Sequence, residues 1–115
     1  MTDVERARVK ALLGLGLRAR TVVVGVQQVR HAAAKGQVAL AVVADDASAH
    51  SRAKVVPLLG ARRVQVVGGV TAAWLGEVVG REATAAVAVV DAGLARGIRE
   101  AVASPAAGPQ NGGTG

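Results

Sequence analysis

Hydrophobic and polar positions along this chain change period repeatedly, and the changes mark out alternating helices and strands. Val4, Ala7, Ala11, Leu12 and Leu15 recur at helical spacing. They predict an opening amphipathic helix with Arg6, Arg8 and Lys10 on its other faces. Gly14 and Gly16 are expected to end it. Thr21 to Val24 is a short β-branched run that predicts a strand. Helical spacing resumes from Val26 to Lys35, with Gly36 as the expected cap. Val38 to Ala44 is almost wholly apolar and predicts a strand buried on both faces. Asp45 and Asp46 follow it and are expected to cap the next helix, roughly Ala47 to Leu59, which stops at Gly60. Pro57 inside that helix removes a backbone donor and predicts a kink. Arg63 to Val67 reads as a strand and Gly68-Gly69 as a turn. Thr71 caps a short helix to Val79, closed by Gly80. Thr84 to Val90 reads as a strand, and Asp91 opens a last helix to about Ala103. The alternation predicts an α/β sandwich with helices on both sheet faces. Ser104 to Gly115 is rich in Pro, Gly and Asn and reads as a mobile tail, which leaves one domain over residues 1–103.

Composition narrows what such a domain can do. The chain has 115 residues, 51% of them hydrophobic, enough to build a core. Fourteen basic residues face eight acidic ones, a formal net charge of +6, which suits a polyanion partner, most often nucleic acid. There is no cysteine, so there is no disulfide, thiol nucleophile or thiolate metal site. The two histidines, His31 and His50, are too few for a histidine-rich metal site. Trp74 is the one aromatic residue, which argues against surfaces that stack bases on several rings. Met1 to Lys10 has no apolar signal core, and Gly, Asp and Arg break the apolar runs well short of a membrane span. These features point to a soluble cytoplasmic protein.

Enzyme signatures do not stand up. Gly14-Leu15-Gly16-Leu17-Arg18-Ala19 matches G-x-G-x-x-A, but a dinucleotide fingerprint follows a strand and this one follows an amphipathic helix. Asp45, Asp46 and Asp91 read as helix caps, because no second catalytic group stands near them in sequence. Ser48 and Ser51 have no base partner in sequence, and His50 reads as a surface residue. No metal or cofactor site is expected.

The most informative segment is Val24 to Ala32, a strand turning into a helix with Gly25 at the corner. A glycine there lets a large partner approach the backbone. The first-turn N–H groups point outward at the positive end of the helix dipole, which favours phosphate. Gln27, Arg30 and His31 are spaced i, i+3 and i+4 and share one helix face. Gln27 and His31 have the groups to read base edges, and Arg30 can hold phosphate. A solvated polar face on a surface helix is the plainer reading of the same residues.

The order of elements and several motifs resemble the L-seven-Ae/L-thirty-e superfamily of ribosomal and kink-turn RNA-binding proteins, most closely its small bacterial YlxQ-type members. Leu12 to Ala19 is similar to the family's opening LLGLAxRAGK. Val24 to Ala32 lies where the family has G-x-N-E-x-x-K-A, Val42 to Ser48 is similar to its AeDAs segment, and Leu75 to Gly80 matches LGxxxG. Ala86 to Asp91 fits the closing strand. The resemblance covers about residues 4–103. It implies a three-layer α/β/α fold with a mixed four-stranded sheet. It also implies that the glycine corner enters the widened groove of a kinked RNA, with Gln27, Gln28 and His31 at the positions of the family's Asn, Glu and Lys. Gly68-Gly69-Val70-Thr71 stands where the family packs a loop on a flipped-out nucleotide. Gln27 adds a methylene to the family's amide, Gln28 drops its carboxylate, and His31 lacks the long reach of Lys.

The implied function is non-enzymatic binding of structured RNA, rRNA included, by a monomer associated with the ribosome. Arg20, Gly25, Gln27, Gln28, Arg30, His31 and Lys35, with Gly69, Val70 and Thr71 closing over an unstacked base, form the expected site. A protein–protein adaptor on the same fold is the alternative. A nucleotide-dependent enzyme would rest on the discounted glycine fingerprint.

Overall fold

The computed structural model describes residues 1–103, so the tail expected over residues 104–115 lies outside the described residues. The elements follow in the order α1 (Asp3–Arg18), β1 (Val22–Val24), α2 (Val26–Ala34), β2 (Leu40–Val43), α3 (Ala49–Ala61), β3 (Gln65–Val67), α4 (Ala72–Val79), β4 (Ala86–Val89) and α5 (Ala92–Val102). The four strands form one sheet in the order β1-β4-β2-β3. β4 is antiparallel to both its neighbours, and β2 is parallel to β3. The sheet is therefore mixed, as the resemblance implies. β1, β2 and β3 all run one way. We call the end where they finish, and where β4 begins, the carboxyl pole, and the opposite end the amino pole.

Side chains alternate strictly across the sheet, as the pleat requires. Leu40, Val42, Val87 and Val89 point into one core with Val9, Leu13, Leu75 and Ile98. Ala41, Val43, Ala86 and Ala88 point into the other with Val29, Val55 and Leu59. So α1, α4 and α5 cover one face, while α2 and α3 cover the other. The second face is lined largely by alanine, which lets α2 and α3 lie close to the strands. All four residues of β2 and all four of β4 are buried, because both faces are covered.

Three expectations need correction. Val4 and Leu15 are 65% and 55% exposed, and the buried stripe of α1 is Val9, Leu13 and Gly16. Apolar residues surround this helix, so the position of α5 and the sheet, rather than spacing, selects the face that is buried. Gly16 does not end α1. The side chains of Leu94 and Val22 fill the space its Cβ would need, so the glycine is a close-packing contact within the helix. Gly60 likewise lies inside α3 and does not end it, while Pro57 sits within that helix as expected. Finally, α3 is capped by Ser48, whose hydroxyl accepts from the Ser51 N–H at 3.1 Å, and not by Asp45 or Asp46.

Those two carboxylates act sideways instead. β2 and β3 are parallel, so the end of β2 lies beside the loop that leaves β3. Asp45 accepts from the Gly69 N–H at 3.0 and 3.1 Å, and Asp46 accepts from the Ala72 N–H at 2.8 Å. Both satisfy donors that the loop and the start of α4 leave open. Thr71 and Asp91 do cap α4 and α5, and Gly80 ends α4 in the left-handed conformation.

Candidate nucleic-acid interface

The glycine corner lies at the carboxyl pole. Gly25 closes the β1 ladder by donating its N–H to the Ala86 carbonyl at 2.9 Å. Its own carbonyl accepts from the Val29 N–H at 2.9 Å and starts α2. The backbone turns between the two bonds with φ 96° and ψ 154°, a region that only glycine occupies without strain. A Cβ built there would have only the Arg81 guanidinium nearby, at 4.0 Å. The corner therefore opens to solvent, and the constraint on residue 25 is conformational.

Gly25 supplies no side-chain cap. The other four helices are each capped by the side chain of Thr2, Ser48, Thr71 or Asp91. Only α2, among the described helices, presents its first-turn N–H groups without a side-chain acceptor. Those groups and the helix dipole give a concentrated partial positive charge at this pole.

The structure brings together part of the expected constellation. Gln27, Arg30 and His31 are exposed and line one open groove of about 240 Å³, floored by Ala34 and by Leu58 of α3. Gln28 is exposed on the neighbouring face of α2's first turn. The Gly68–Thr71 loop lies at the same pole, held by Asp45 and by an Asp45 N–H to Val70 carbonyl bond of 2.8 Å. Gly69 has φ 88°, and the Met1 amino nitrogen stands 2.6 Å from where its Cβ would be. Thr71 is exposed. The Val70 side chain, in contrast, is 4% exposed and belongs to the core, so at this residue the loop offers only its backbone to a partner.

Arg20 and Lys35 do not join the corner. Arg20 precedes β1 and Lys35 follows α2, so both stand at the amino pole. The rise of α2 separates Lys35 from Gly25 by about 15 Å. Charge and proximity along the chain put them with the corner in sequence, and the helix length undoes that grouping.

Two residues join the pole that the sequence did not mark. Arg81 follows α4 and reaches Gly25 from across the fold. Arg6 lines an open pocket of about 220 Å³ with Asp45, Gly69, Val70, Thr71 and Trp74. Arg6 also donates to the Met1 carbonyl at 2.7 Å and pairs with Asp3. Half-buried Trp74, the chain's sole aromatic residue, gives that pocket a flat apolar wall. A basic residue just past a left-handed helix end was the one local signal for Arg81. Nothing local linked Arg6 to residues 69–74. Among the described residues no group of three or more acidic or histidine side chains could hold a metal ion, and no helix is long and apolar enough to cross a membrane.

Comparison with known proteins adds three findings. A sequence profile of the ribosomal protein L7Ae/L30e/S12e/Gadd45 family matches residues 7–102. A solved structure from Bacillus halodurans C, described as a protein with unknown function, is 31% identical and superposes with a TM-score of 0.76. That match covers 84% of this chain and 97% of the other. No match emerges among curated proteins.

Proposed function

This chain belongs to the ribosomal protein L7Ae/L30e/S12e/Gadd45 family, and from that premise we propose that it binds structured RNA through the carboxyl pole, without catalysing a reaction. The observation that carries this reading is the uncapped start of α2. Four helices satisfy their first turn with a side chain, and the one that does not carries Arg30, has Arg81 near its N-cap Gly25 and opens at the same pole as the 68–71 loop. In this reading the α2 N–H groups and Arg30 meet phosphate, while Gln27 and Gln28 reach base edges. His31 lines the same groove, and Thr71 and the Gly69–Val70 backbone close over an unstacked base. A kinked RNA suits this surface, because its splayed groove admits both a helix end and a loop. Kink-turn preference, ribosome association, a cytoplasmic location, a monomeric state and kinship with YlxQ-type proteins form the finer part of the proposal.

The test is a titration of the full chain with a kinked RNA carrying tandem G·A pairs and with a plain DNA duplex of equal length. Preferential, salt-sensitive binding of the kinked RNA is expected, since released counterions drive much of such affinity. Equal affinity for both would leave only unspecific electrostatics. The adaptor reading has one observation in its favour, the exposure of Val4 and Leu15 along α1. Substituting both with serine is expected to leave RNA binding unchanged. A loss of RNA binding would instead place α1 within the interface.

A further inference from the structure

Three helices end at the amino pole in one way. After α1, the Arg20 N–H donates to Leu17 and the Thr21 N–H to Gly16, at 3.2 and 2.8 Å. After α2, the Gly36 and Gln37 N–H groups donate to Ala33 and Ala32, both at 3.0 Å. After α3, the Arg63 and Val64 N–H groups donate to Gly60 and Leu59, at 3.0 and 2.9 Å. Each is a Schellman ending, and each puts its turning residue in the left-handed region, at φ 62°, 70° and 57°. Glycine is the residue this ending favours, since any Cβ is strained there. α2 uses Gly36. α1 and α3 use Arg20 and Arg63, the only non-glycine residues with positive φ among those described.

Three other cations stand at helix ends on the same pole. Arg18 is the last residue of α1, and Lys35 and Arg62 are the C-caps of α2 and α3. Arg62 donates to the Ala34 carbonyl at 2.7 Å and so ties the ends of α2 and α3 together. All five side chains are on exposed residues, and neither of the ion pairs among the described residues involves them. Asp91, which caps α5, is the carboxylate that shares this pole. Asp3, Glu5, Asp45 and Asp46 stand at the other one, beside the start of α1 and the 68–71 loop. The amino pole thus carries five exposed cations of its own, besides Arg6, Arg30 and Arg81 at the other.

A cation at a helix C-terminus is favourable in itself. The last turn offers that benefit without left-handed strain, as Arg18 illustrates, so helix stability does not explain arginine at positions 20 and 63. Guanidinium groups suit phosphodiesters, which they grip with paired hydrogen bonds. Leu15 alone supplies a large exposed apolar side chain on the neighbouring part of α1, whereas a bilayer-binding face needs several.

We propose that Arg18, Arg20, Lys35, Arg62 and Arg63 at the amino pole form a second phosphate-binding face, which holds a stretch of RNA separate from the one at the glycine corner. The choice of RNA as partner rests on the function proposed above; the existence of the face does not depend on the corner. It reads backbone charge without regard to sequence, and with the corner it lets one chain bridge two RNA segments.

The test pairs two variants of the full chain. Arg20→Gly with Arg63→Gly removes two cations and supplies the residue each helix ending favours, so it should melt at or above the wild-type temperature. Gln27→Glu disables the corner instead. Each protein is titrated against a short uridine homopolymer over a range of salt concentrations, and against the kinked RNA. The double glycine variant should bind severalfold more weakly, with a log–log salt slope shallower by roughly 1.4, two lost contacts at about 0.7 each. Wild-type affinity and slope in that variant would overturn the second face and leave the corner untouched. If only Gln27→Glu weakens binding to kinked RNA, the corner stands alone. If only the double variant weakens binding to either RNA, the second face stands and the corner reading fails. Vesicles of anionic phospholipid serve as a third probe. Arginine-dependent binding to vesicles with unchanged RNA binding would overturn RNA as the partner.

Discussion

Replacing Gln27 with glutamate changes one atom type and reverses what the start of α2 offers to an RNA. Residue 27 is exposed in the first turn, where no side chain caps the N–H groups. For the folded protein alone the new carboxylate is favourable, because it meets the positive end of the helix dipole, by about 0.3–1 kcal/mol. Against a phosphate in contact it is repulsive by roughly 1 kcal/mol in water-like surroundings and roughly 4 kcal/mol where the interface excludes solvent. Those figures correspond to binding weaker by about fivefold to several hundredfold. Stability and affinity therefore move in opposite directions, which separates this outcome from damage to the fold. The assay is fluorescence anisotropy of a labelled kinked RNA at low salt, where screening is least, with a urea melt of the same sample. A variant at least as stable as wild type that also binds kinked RNA with wild-type affinity would refute the placement of phosphate at this helix end.

Three further outcomes are expected. Gln28→Glu with His31→Lys restores the residue types the family carries at these positions and should widen the affinity gap between kinked RNA and a plain duplex; an unchanged gap would count against base reading by this helix. Thr71→Ala removes the α4 cap and should cost about 1 kcal/mol in a urea melt, with a larger loss of binding for kinked RNA than for an unstructured strand. Gly76→Ala should destabilise the fold by roughly 1–3 kcal/mol, since its Cβ would lie 2.6 and 2.7 Å from the Ala83 backbone; that outweighs the gain of about 1 kcal/mol that alanine brings to a helix interior, and thermal melting decides the sign.

Much of this architecture is legible in the sequence, because period changes and caps are local. Thr71, Asp91, Gly36 and Gly80 each mark a helix boundary through bonds made within a few residues, and the structure places those boundaries where the residues predict. The apolar run around β2 announces a strand covered on both faces. What fails to read locally depends on neighbours distant in sequence. The face of α1 is chosen by α5 and β1, so the stripe through Val4 and Leu15 is exposed while Gly16 is buried. Asp45 and Asp46 resemble caps for α3, yet parallel pairing of β2 with β3 gives them closer donors in the next loop.

The candidate site divides in the same manner. Gly25, Gln27, Arg30 and His31 are grouped by helix geometry alone and so can be read directly. Arg81 reaches the corner only through the fold. Arg20 and Lys35 are near in sequence but lie at the other pole, and the Val70 side chain turns into the core. The conformation of Gly25 also changes the experiment its position invites. At φ 96° a valine would strain the backbone besides shielding it, so its effect on binding would not report the corner cleanly.

The central claim is that the first-turn amides of α2 meet RNA. A two-dimensional nitrogen–proton NMR titration of the full chain with a kinked RNA tests it most directly, because each amide reports separately. The largest shifts are expected at Val26, Gln27 and Gln28, with a second group at Gly68 to Ala72. Tight binding that leaves the Val26–Gln28 amides in place would contradict the account.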